Sequence, residues 1–152
     1  MTGVFEVNSV EETWALARRF AAELRPGDVV CLEGDLGAGK TTFTQGLASA
    51  LGVKGRVTSP TFCIAQEHRA AAAPHQDPST KHQVPSLLVH MDLYRLHGED
   101  DVIAIGWEDY LAEGAILVVE WPERAGTLIP VEAKHVVFTH LEGEESRRIE
   151  FR

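Results

Sequence analysis

Cations are scarce in this sequence: 14 Lys plus Arg stand against 23 Asp plus Glu in 152 residues, a formal net charge of −9. Attraction to phosphate backbones or anionic lipid comes from clustered Lys and Arg, so direct, unaided binding to nucleic acid is not expected. Cysteine is scarcer still. Cys31 and Cys63 each sit inside an apolar run, the pattern of buried, reduced thiols, and a disulfide framework would need more of them. No uninterrupted apolar stretch approaches the roughly 18 residues of a membrane span. Residues 1–8 lack the basic start and apolar run of a signal peptide. A cytoplasmic protein without membrane contact is the expectation. With 44% apolar and 24% charged residues the composition is globular, and the length suits one domain over 1–152.

Ser9 and Glu12 fit a capping box, and Thr13, Trp14, Ala17, Phe20, Ala21 and Leu24 follow at helical spacing until Pro26-Gly27. A short strand is expected before them over 4–7. Residues 28–33 (DVVCLE) read as a buried strand that runs straight into a glycine-rich loop. A helix over 41–51 follows, ended by Gly52. Residues 56–66 contain a Ser-Pro turn and the β-prone run Phe62-Cys63-Ile64. The most strand-like runs are 87–92 (LLVHMD) and 115–120 (AILVVE), with a helix expected between them over 100–111. The end of the chain reads as a hairpin, 135–141 and 147–151, around an acidic turn. Strands alternating with helices predict an α/β fold: a mixed, partly parallel sheet flanked by helices.

Residues 69–86 differ in kind. Three prolines, a tetra-Ala run and no large apolar residue before Val84 leave too little to bury against the ordering entropy. A mobile insertion joining two strands is expected, and its His75 and His82 read as solvated loop residues, not metal ligands.

Gly34-Asp35-Leu36-Gly37-Ala38-Gly39-Lys40-Thr41 matches G-x-x-x-x-G-K-[ST] at every fixed position. Small residues let successive amides, from Asp35, Leu36, Gly37, Ala38 and Gly39 through Lys40, Thr41 and Thr42, surround the β-phosphate of a nucleotide. Lys40 then reaches the β- and γ-phosphates and the Thr41 hydroxyl binds Mg2+. The positive end of the following helix adds to the anion site. An ordinary Gly-rich turn would not explain the Lys-Thr pair at a strand-to-helix junction. The Asn-Lys-x-Asp signature of guanine binding is absent, so ATP is the expected nucleotide.

Such a site needs a carboxylate at the end of a neighbouring buried strand. Two strands offer one, ending at Asp92 and at Glu120. Glu120 suits the metal and Asp92 the attacking water, although spacing alone permits the reverse. Thr58-Ser59-Pro60-Thr61 stands where a loop could sense the γ-phosphate, but Ser-Pro turns are common everywhere. Trp107 and Tyr110 read as core residues, and Trp121-Pro122 as packing or a surface anchor.

Together with the glycine loop and its Thr42-Phe43 extension, Ser59-Pro60-Thr61-Phe62, His90-Met91-Asp92-Leu93-Tyr94-Arg95-Leu96 and Val119-Glu120-Trp121-Pro122-Glu123 closely resemble the TsaE (YjeE) family. These are P-loop ATPases of bacterial tRNA threonylcarbamoyladenosine biosynthesis. The resemblance implies an ATPase, feeble alone, that joins partners similar to TsaB and TsaD. That assembly modifies the adenosine beside the anticodon of tRNAs reading A-starting codons. The ATPase touches tRNA only indirectly, which suits an acidic chain. Carried over by motif position, Lys40 and Thr41 are phosphate and Mg2+ ligands, Glu120 a metal ligand, Asp92 the catalytic carboxylate and Thr61 part of the switch. Ser9 falls where the family meets the adenine end. The sequence departs from the family in its long 69–86 insertion and in the acidic final turn (Glu142, Glu144, Glu145). Competing readings are a small-molecule kinase, which would need a cationic lid where only Arg69 and Lys81 are available, and a nucleotide-sensing adaptor, which intact Asp92 and Glu120 argue against.

Overall fold

In the computed structural model, residues 1–35, 37–54, 57, 64–70 and 87–152 are described. Leu36, residues 58–63 with Thr61 and Cys63, and residues 71–86 of the expected insertion lie outside the described residues. The elements run β1 (Gly3–Val7), α1 (Val10–Ala21), β2 (Val29–Glu33), α2 (Lys40–Ala50), β3 (Ala65–Arg69), β4 (Leu87–Asp92), α3 (Glu99–Ala104), α4 (Trp107–Ala112), β5 (Ile116–Glu120), a 3-10 segment (Pro122–Leu128), β6 (Lys134–His140) and β7 (Arg147–Phe151).

The described strands form one sheet in the order β1-β7-β6-β2-β5-β4-β3. Its centre, β6-β2-β5-β4, is parallel, and β3, β7 and β1 add antiparallel margins. This is the mixed, partly parallel sheet expected of a P-loop NTPase-like fold. Central strands carry apolar residues on both faces because both faces are covered. Val30, Leu32, Leu88, Ile116 and Val118 face α1 and α2. Val29, Cys31, Val89, Met91, Leu117 and Val119 face α3, α4 and the 3-10 segment. Phe43 in α2 packs its ring against Phe20, Phe138 and Phe151, with centroids 5.8, 5.4 and 5.9 Å away. Each fully buried ring of this kind contributes about 1.5–3 kcal/mol. No helix among the described residues is long and apolar enough to cross a membrane.

Several local expectations change. The single helix over 100–111 is two, α3 and α4, because Gly106 adopts φ +102 and breaks the hydrogen-bond ladder between them. The described strand after α2 is β3, beyond the run Phe62-Cys63-Ile64. It is a margin strand whose position is set by pairing with β4, so it lacks a buried strand's apolar signal. Arg69 closes that strand, and Ala70 makes an isolated antiparallel bridge to Val53, so the first two residues of the expected insertion are held by backbone pairing. In α1, Leu16 joins the core while Trp14 is partly exposed. Ser9 Oγ accepts from Glu12 N–H at 3.1 Å, but Glu12 answers to Asn8 N–H at 2.6 Å, one residue earlier than a reciprocal box.

Candidate functional site

The site forms where the parallel strands end. β2 feeds Gly34, whose φ is +145 and whose hydrogen approaches the Phe138 carbonyl so closely that a Cβ there would lie 2.7 Å from its oxygen. Gly37 and Gly39 also have positive φ, and Gly39 caps α2 without any side-chain hydrogen bond. The amides of the first turn of α2 therefore lack a side-chain acceptor at the end where the helix is positive. Thr41 and Thr42 occupy this turn, both half-buried.

Lys40 bends back toward the start of the loop. Its Nζ donates to the Gly34 carbonyl at 2.6 Å and lies 3.4 Å from Glu120 Oε1. Glu120 is the last residue of β5 and is buried. Its neighbour in register on β2 is Leu32 and on β4 is Asp92. Because side chains alternate along a strand, Glu120, Asp92 and His90 share the face of Val118 and Leu88, the face that α2 covers. The second Glu120 oxygen, Oε2, lies 2.7 Å from His90 Nε2. Burial pushes the Glu120 carboxyl upward, but the hydrogen bond and charge of His90, then those of Lys40, outweigh it and hold the pKa below the usual glutamate range. Asp92 is less buried, and its Oδ1 accepts from Tyr94 N–H at 3.0 Å.

Of the expected site residues, the fold thus brings Lys40, Glu120 and Asp92 together below the loop formed by Gly37, Ala38 and Gly39, with Asp35 at its start. Ala38 N–H closes this loop on the Asp35 carbonyl at 3.0 Å. Leu36 and Thr61 lie outside the described residues. Ser9 caps α1, its Oγ accepting from Glu12 N–H; its neighbour Asn8 accepts from Ser146 Oγ at 3.0 Å, and Arg147, next to Ser146, donates through Nη2 to the Gly37 carbonyl at 3.0 Å.

Two residues of this site were not legible as such. Arg147 is placed over the loop by the β6–β7 hairpin, and nothing local announces it. His90 carried a signal that could have been used: a polar ring inside an apolar strand, two residues before a carboxylate, hence on its face. Trp121 and Tyr94 follow the two carboxylates and pair as exposed rings with centroids 4.8 Å apart. Trp107 is core, as expected, and Tyr110 is half-buried with its hydroxyl donating to Glu67 at 2.7 Å.

Chemically, the site offers main-chain donors and an ammonium group to an anionic chain, with two carboxylates beside it. Among the described residues no group of three or more His, Cys, Asp or Glu is poised to hold a metal by itself.

A family model described as "Threonylcarbamoyl adenosine biosynthesis protein TsaE" matches residues 7–149. A tRNA threonylcarbamoyladenosine biosynthesis protein TsaE of Bacillus subtilis is 40% identical over 141 residues, covering 93% of this chain and 79% of the relative. One from Streptomyces coelicolor is 48% identical over 108 residues, covering 71% and 66%. The crystal structure of Bacillus subtilis YdiB superposes with a TM-score of 0.72 at 33% identity, covering 99% of this chain and 84% of that one.

Proposed function

This chain belongs to the TsaE family of threonylcarbamoyl adenosine biosynthesis proteins, and from that premise we propose that it is a Mg2+-dependent ATPase serving tRNA threonylcarbamoyladenosine formation. The observation that carries this reading is the meeting of Lys40 and Glu120 at 3.4 Å beneath the glycine loop. A buried carboxylate beside the loop lysine is what a nucleotide–metal site requires and what an ordinary turn does not.

In this reading the amides from Asp35 to Thr42 bind the phosphate chain, and Lys40 exchanges Glu120 for the β- and γ-phosphates. Thr41 and Glu120 hold Mg2+. The ion, when bound, neutralises charge on the phosphate oxygens. Asp92 orients the attacking water and accepts its proton as the water oxygen bonds to the γ-phosphorus and the bond to ADP breaks. Thr61 senses the γ-phosphate, and Ser9 lies at the adenine end. Hydrolysis supports repeated turnover by TsaB-like and TsaD-like partners, which perform the transfer and contact tRNA.

Purified protein is incubated with Mg-ATP, alone and with TsaB-like and TsaD-like proteins and tRNA. Slow phosphate release alone, faster release with partners, and loss of both in Lys40→Ala are expected. Phosphoryl transfer to a metabolite in place of phosphate release would favour a kinase. Support of partner turnover by Glu120→Gln without hydrolysis would favour an adaptor.

A further inference from the structure

We propose that His90 is a positioning residue that holds the Glu120 carboxylate in place when Lys40 leaves it for phosphate. This rests on the reading of Glu120 as a Mg2+ ligand. In the structure Glu120 has two partners, Lys40 Nζ at 3.4 Å from Oε1 and His90 Nε2 at 2.7 Å from Oε2. They differ in freedom. Lys40 is a flexible chain at the mouth of the loop, and phosphate would compete with Glu120 for it.

His90 has no such alternative. It is fully buried in β4, between β3 and β5. Its Nε2–H can donate only where the ring is held, so it fixes one carboxylate oxygen and leaves Oε1 turned toward the loop. A donor that orients a metal-ligating carboxylate typically tunes affinity by 10–100-fold. The fold itself does not ask for this ring. His90 Nδ1 is buried with no hydrogen-bond partner among the described residues, a cost that an apolar side chain would avoid. A side chain kept against the interests of core packing points to the bond it does make.

The test compares His90→Gln, whose amide nitrogen can occupy the place of Nε2, with His90→Phe, which fills the ring's space without a donor. ATP affinity is measured by calorimetry in EDTA and in Mg2+. We expect His90→Phe to keep the EDTA affinity but lose about tenfold or more of the gain from Mg2+, and His90→Gln to recover most of it. A cooperatively folded His90→Phe with the wild-type Mg2+ gain would overturn the proposal. So would equal losses in EDTA and Mg2+, which mark mere packing.

A second measurement needs no His90 variant. In the wild type without ligand, the His90 Nε2 proton should exchange slowly, resonate downfield in NMR spectra and shift in Glu120→Gln; an unshifted signal would refute the bond. Failure of the wild type to bind Mg-ATP at all would instead sink the proposed function.

Discussion

Asp92 and Glu120 are register partners at the ends of the parallel strands β4 and β5, two carboxylates on one face in unlike surroundings. Glu120 is buried between His90 and Lys40. Asp92 is less buried and turns one oxygen to the amide of Tyr94. Like carboxylates side by side repel unless cations or hydrogen bonds separate their roles. Here the cation and the imidazole both go to Glu120, which leaves Asp92 as the more accessible of the pair. The division of labour between metal and water, open to reversal on spacing alone, is favoured in one direction by this asymmetry.

Asp92→Asn retains an oxygen for the Tyr94 amide but removes the proton acceptor. A general-base role of this kind contributes about 100-fold or more, so kcat for ATP hydrolysis should fall by that order with little change in ATP affinity. Steady-state kinetics with calorimetry on the same variant checks it, and unchanged turnover would remove Asp92 from the hydrolytic step.

The depressed Glu120 pKa also bears on acid stability. A carboxyl whose folded-state pKa lies below its unfolded value stabilises the protein above the unfolded value, and that contribution is lost as pH falls through the folded one. Urea unfolding of nucleotide-free protein in EDTA should therefore show wild type more stable than Glu120→Gln at neutral pH, with the gap closing below the ordinary glutamate range. A gap that stays constant with pH would mean that the carboxylate's charge is irrelevant to stability.

Cys31 lies in the sheet interior, where burial, and then the negative Glu33 nearby, push its thiol up to about 12. The thiolate is the reactive form, so iodoacetamide at about pH 8 should leave the Cys31 peptide unmodified in native protein and modify it after denaturation. Peptide mass spectrometry reads the result. Rapid native labelling of Cys31 would show that the β2 centre opens.

Gly46 marks the crossing of α1 and α2. A Cβ there would meet Ala17 Cβ at 2.7 Å and Trp14 Cα at 3.2 Å. Gly46→Ala improves helix propensity yet overpacks the crossing, for a net destabilisation of about 1–2 kcal/mol. Thermal unfolding measures it, and adding Ala17→Gly should restore part of the loss.

What the chain alone determined is local and periodic. The strand–loop–helix around Gly34 to Thr41 was legible because its chemistry demands fixed residue types at fixed spacing. The strands ending at Asp92 and Glu120 were legible because burial on both faces leaves continuous apolar runs. Only the tertiary structure decided which side chains meet. Lys40 reaches Glu120 because β2 and β5 are sheet neighbours although β3 and β4 lie between them in sequence, and Arg147 reaches Gly37 because a hairpin carries it across the molecule. His90 stood in plain sight, but whether a buried imidazole faces a carboxylate or mere packing depends on register, which hydrogen bonding between strands settles and sequence spacing does not. The same holds for β3, a margin strand fixed by its partner, and for the break at Gly106, where packing chose between a glycine inside one helix and a glycine between two.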